Sequence, residues 1–155
     1  MRLRAPLRAP LDNGIRQAQA RLMSAGRIAT REELAQGLRK FSGVKPDMIE
    51  EFCSFYGRAS VAAQRVLPLV QELGFFSSRR ERIDAFQWVC RGLDQCVDEE
   101  IITQNEATIA LFILLFSSDS FAKAMKAFRN YAYGKNLGGS HLASYTAGVY
   151  AETCR

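Results

Sequence analysis

The residues of this chain whose types could support chemistry are few and scattered. His141 is the single histidine, and the cysteines are Cys53, Cys90, Cys96 and Cys154. No Cys-x-x-Cys pair is present, and a zinc site would have to gather its ligands from distant segments without any ligand spacing. Pairing of Cys53 or Cys154 with His141 would be the arrangement for nucleophilic catalysis. Buried free cysteines acting as small apolar residues are the stronger expectation. Cys90 and Cys96 lie six apart on one expected helix and point in different directions. Lys135-Asn-Leu-Gly-Gly-Ser140 places glycines before a helix start, where backbone amides can hold an anion. It lacks the Walker spacing and the preceding strand, so an interhelix connection is expected there. Asp94, Asp98, Glu99 and Glu100 lack the spacing and glycine of a calcium loop and read as a solvated corner. No catalytic, metal or cofactor site is assigned, and the chain is expected not to be an enzyme.

Whatever these residues do, helices must position them. Ile109–Phe116 is eight apolar residues in a row, without a polar face. As a helix it must be enclosed by the rest of the protein, and it is well short of the roughly 20 residues needed to cross a bilayer. We expect it to be the central helix of an all-α, compact single domain of about seven helices. Thr30-Arg-Glu-Glu33, Ser78-Arg-Arg-Glu81 and Thr103-Gln-Asn-Glu106 are read as capping boxes opening three helices. Leu34, Leu38 and Phe41 form the apolar stripe after the first box. Pro46 suits the first turn of the next helix, with Asp47, Glu50 and Glu51 near its positive end. Gly57 is expected to end that helix and Ser60 to start another reaching Leu73, with a kink or break near Pro68 and Gly74 closing it. The helix after Ser78 turns Ile83, Phe86, Val89, Cys90, Leu93 and Val97 inward, with Trp88 at the border. A helix from about Ser120 turns Phe121, Met125 and Phe128 inward. Further helices are expected at about 14–25 and 140–153. No alternation of period two and no fixed-period repeat is visible.

The 155 residues fit one domain, with 48% apolar and 24% charged residues as in ordinary globular chains. We divide them into a basic N-terminal arm, residues 1–11, and a helical domain, residues 12–155. The net charge of +5 is modest for a dedicated nucleic-acid binder. It is concentrated early: seven arginines precede Glu32 against Asp12 alone. Arg2, Arg4, Arg8 and Arg16 are the arm's candidate electrostatic contacts to phosphate or to an acidic protein surface. Met1–Pro10 is faintly like an organellar transit segment, but its prolines interrupt an amphipathic helix and no apolar signal run follows. A reduced, cytoplasmic protein is the expectation.

Two interaction surfaces suggest themselves. Phe75, Phe76, Tyr133, Tyr145 and Tyr150 either complete the core or form an aromatic protein-binding face. Thr30-Arg-Glu-Glu-Leu-Ala35, followed by a turn and a second helix, is similar to the start of many helix-turn-helix modules, in which the second helix enters the major groove. On that resemblance Arg27, Arg31, Arg39 and Lys40 would grip the DNA backbone. The second helix offers Asp47, Glu50 and Glu51 instead of base-reading side chains. The leading expectation is therefore a helical interaction protein: an adaptor, accessory factor or assembly subunit whose partner is another protein or a second copy. A small DNA-binding regulator is the alternative.

Overall fold

A computed structural model of the chain describes residues 27–41 and 44–132. The helices expected at 14–25 and 140–153 lie outside that range. Among the described residues there are six α-helices and no strand: α1 (Arg31–Arg39), α2 (Pro46–Ser54), α3 (Tyr56–Gln71), α4 (Arg79–Asp98), α5 (Gln104–Ser117) and α6 (Asp119–Ala132). A 3-10 turn, Glu72–Phe75, extends α3. The fold is all-α.

The centre is α5. Ten consecutive residues, Glu106–Leu115, are buried, so the helix is enclosed on every side as its unbroken apolar run requires. It packs most extensively on α3 and also meets α6, α4 and α1. Phe86 of α4 stacks at a tilt against Phe121 and Phe128 of α6, at 5.4 and 5.0 Å between ring centres. Together α3–α6 form the body of the core.

Local capping sets several boundaries. Thr103 opens α5 with a complete capping box: its Oγ1 accepts the Glu106 amide at 3.2 Å, and Glu106 Oε1 accepts the Thr103 amide at 2.7 Å. Glu106 is itself buried, and its other carboxylate oxygen lies 3.6 Å from Arg58 Nε of α3. The Arg58 guanidinium also donates to the Ile101 carbonyl, tying α3 to the turn before α5. Thr30 opens α1 with a second complete box. Ser78 does not complete the third. Its Oγ accepts the Glu81 amide, but its own hydroxyl occupies Glu81 Oε1 at 2.8 Å, where the Ser78 amide would have donated.

Three boundaries differ from expectation. Gly57 lies in the first turn of α3 rather than ending α2, because Phe55 terminates α2 and Tyr56 begins α3 at once. Pro68 does not break α3, which continues to Gln71. The proline is exposed, and Gln64, whose carbonyl loses its helical donor, is exposed as well, so that carbonyl can be solvated. Gly74 sits within the 3-10 turn that finishes the helix.

The acidic corner after α4 is a helix stop. Glu100 has φ of 61°, the left-handed conformation usually given to glycine. The Ile101 amide donates to Cys96 O at 2.9 Å and the Glu100 amide to Val97 O at 3.0 Å. That is the hydrogen-bond pattern of a Schellman motif, made without a glycine.

Candidate functional site

The helical hairpin α1–α2 carries the most developed surface among the described residues. Compact bonds turn the chain between its helices: Lys40 N to Gly37 O, Phe41 N to Leu38 O and Val44 N to Phe41 O. Arg31, Glu32, Ala35, Gln36 and Arg39 of α1 and Pro46, Ile49, Glu50 and Cys53 of α2 line one groove of about 440 Å³. Both helices contribute along their whole length, and Tyr56, just past α2, meets Ala29 and Arg31 at the start of α1, so the two lie side by side and run in opposite directions. Ala35, Ile49 and Cys53 form its apolar floor. Its rims are charged: Arg31 and Arg39 on α1, with Glu32 beside Arg31, and Glu50 on α2.

The hairpin is anchored below this groove by its opposite side. Leu34 and Leu38 are fully buried. Gly37 is so close to α5 that a Cβ there would stand 2.6 Å from the Phe116 ring. Phe41, just past α1, packs at a tilt on Phe112 and Phe116 at 6.0 and 5.6 Å. At the far end Tyr56 donates its hydroxyl to Ala29 O at 2.6 Å, and the Arg31 guanidinium sits over the Tyr56 ring at 5.8 Å. Burial, with Glu32 and Glu33 nearby, raises the Tyr56 pKa.

The four cations expected for DNA backbone contact are placed differently from one another. Arg27 grips Glu33 with both terminal guanidinium nitrogens, at 2.6 and 3.2 Å. That grip, with the Thr30 amide, lowers the Glu33 pKa to about 2. Arg31 is engaged by Tyr56. Arg39 and Lys40 are exposed and make no ion pair with a described residue. Asp47, Glu50 and Glu51 are all exposed on α2, so the helix that would enter a major groove meets phosphate with negative charge.

Of the candidate aromatic surface, Phe76 is buried in the core and Phe75 is half-buried beside it. Phe76 therefore takes the core role, while Phe75 keeps part of its surface outside the core. Tyr133, Tyr145 and Tyr150 lie outside the described residues, as do Arg2, Arg4, Arg8 and Arg16 of the arm, His141, Cys154 and the Lys135–Ser140 connection. The other three cysteines are free thiols. Burial raises the Cys53 pKa, against the opposing pull of Arg31 and Arg39, and raises that of Cys90 much further. Both are held as neutral thiols, the form that is a poor nucleophile. Among the described residues no three His, Cys, Asp or Glu side chains gather as metal ligands, and no helix is long and apolar enough to cross a membrane.

A second hollow, about 330 Å³, lies between α3 and α4 around Arg65, Pro68, Leu69, Gln95, Cys96 and Glu99. Neither hollow was apparent in the sequence, because each needs residues from two helices brought level by the fold. The chain matches no protein-family model, no curated protein and no solved structure.

Proposed function

We propose that this protein is a non-enzymatic helical interaction protein, an adaptor or assembly subunit, and that it engages a protein partner through the α1–α2 groove. The observation that carries this reading is the groove itself: an apolar floor of Ala35, Ile49 and Cys53 between rims of opposite charge. Such a floor removes apolar surface from water when a helical segment covers it, and the rims fix its register. The held thiol of Cys53 fits a packing role in the floor better than a nucleophilic one.

A small DNA-binding regulator is the second reading. It is supported by exposed Arg39 and Lys40 beside a two-helix module, and opposed by the acidic exposed residues of α2.

A photo-crosslinking amino acid at Gln36, an exposed groove position, tests both in living cells, with the exposed Lys123 of α6 as control. The reading predicts a discrete protein adduct from position 36 that position 123 does not give. Adducts to nucleic acid from position 36 would support the regulator. The same background from both positions would contradict the interaction reading.

A further inference from the structure

The walls of the α1–α2 groove have opposite signs, and that arrangement constrains what can cover it. Arg31 and Arg39 stand on the α1 wall, and Glu50 stands midway along the α2 wall. Glu32 lies beside Arg31, so the Arg39 end is the more basic. Among the described residues neither Arg39 nor Glu50 has an ion-pair partner.

A surface with one basic and one acidic wall is complementary to itself under a two-fold rotation about an axis running along the groove. That rotation lays α1 of one copy over α2 of the other and brings the two apolar floors together. An axis across the groove would stack α1 on α1 and oppose arginine to arginine, so charge selects the first arrangement. Glu50 and Ala35 are each middle lining residues of their own helix, which puts both near the centre of the groove. Arg39 is then one helical turn away, about 6 Å along the axis, within the reach of an arginine side chain.

We propose that the partner of this face is a second copy of the same chain, docked as a four-helix arrangement in which Arg39 of each copy meets the partner subunit's Glu50. This rests on the interaction reading above and names its partner. Each helix has nine residues, about 13 Å of length, so the face is small beside the roughly 800 Å² per partner of a standard interface. The dimer is accordingly weak, concentration-dependent and weakened by salt.

Sedimentation equilibrium of the purified full chain, from micromolar to millimolar concentration at low salt, tests the proposal. The wild type should move from monomer mass toward twice that mass. Arg39→Glu and Glu50→Arg should each raise the dissociation constant about tenfold or more, since each turns two attractive contacts repulsive. An equimolar mixture of the two variants should dimerise again, because one contact of the mixed dimer keeps both charges and the other reverses both. A variant that failed to fold could not be rescued by mixing. A mass that stays monomeric throughout, dimerisation indifferent to both substitutions, or a mixture no better than its components would overturn the proposal. If the purified protein is monomeric while Gln36 crosslinks a different protein, the second-copy inference fails and the interaction reading stands. If neither association is seen, both fail.

Discussion

The α1–α2 hairpin and the α3–α6 body are both all-helical, yet they bury very different shares of themselves. Ten successive residues of α5 are enclosed, whereas α2 buries Ile49 alone. The body meets itself through paired phenylalanines, aliphatic side chains and the buried Glu106 with Arg58. The hairpin meets the body through Leu34, Leu38, Gly37 and Phe41 of the α1 side and Ile49 and Phe52 of α2, and turns its groove outward. Stability therefore resides in α3–α6, and the hairpin is a surface mounted on it. The cost of substitution should fall in the same order.

Leu114 is fully buried in α5, and Leu114→Ala should destabilise the protein by about 2–5 kcal/mol, measured by urea unfolding. A loss near the surface range of about 0.5 kcal/mol would show that α5 is not enclosed by the body. The seam between the two regions comes next. Gly37→Ala places a Cβ against the Phe116 ring and should cost about 1–3 kcal/mol by overpacking, although alanine is the better helix former. Most of that cost should disappear in the Gly37→Ala, Phe116→Ala pair. Additive effects would show that the seam is looser than described.

A smaller effect of opposite sign is expected at the end of α4. Glu100→Gly relieves the left-handed conformation of a residue with a Cβ and should stabilise by about 1 kcal/mol or less. Smaller still is the pH dependence at the hairpin entrance. Glu33 has its folded pKa lowered from 4.5 to about 2 by Arg27 and the Thr30 amide. Its contribution to stability is thus present above about 4.5 and is lost as pH falls toward 2. Because the pair is exposed, this change is slight. Glu33→Gln should remove it, and direct titration of Glu33 by NMR should find its midpoint well below that of an ordinary glutamate.

What the sequence revealed follows from the range of the interactions. The boxes at Thr30 and Thr103 join residues three apart, and the enclosure of α5 is written in its unbroken apolar run. The Glu100 stop was hidden because its usual signal is glycine, and Ser78-x-x-Glu81 spells a box that its own hydroxyl diverts. Pro68 carries a strong local signal for a break, yet the helix packed around Val66, Leu67 and Val70 runs on past it. The groove was invisible for a different reason. Ala35, Ile49 and Cys53 are ordinary apolar residues in sequence, and only the pairing of α1 with α2 brings the half-buried Ala35 and Cys53 together over the buried Ile49 in one groove. Phe76 illustrates the converse, an aromatic after a helix stop that folds inward.

Native-state hydrogen exchange, recorded at two protein concentrations, is the most direct test of the division between body and hairpin surface. Amides in the middle of α5 should exchange only through global unfolding. Those of α2 should exchange through a less costly local opening, and should slow as concentration rises and the groove is covered. Protection of α2 equal to that of α5, or α2 exchange independent of concentration, would contradict the account.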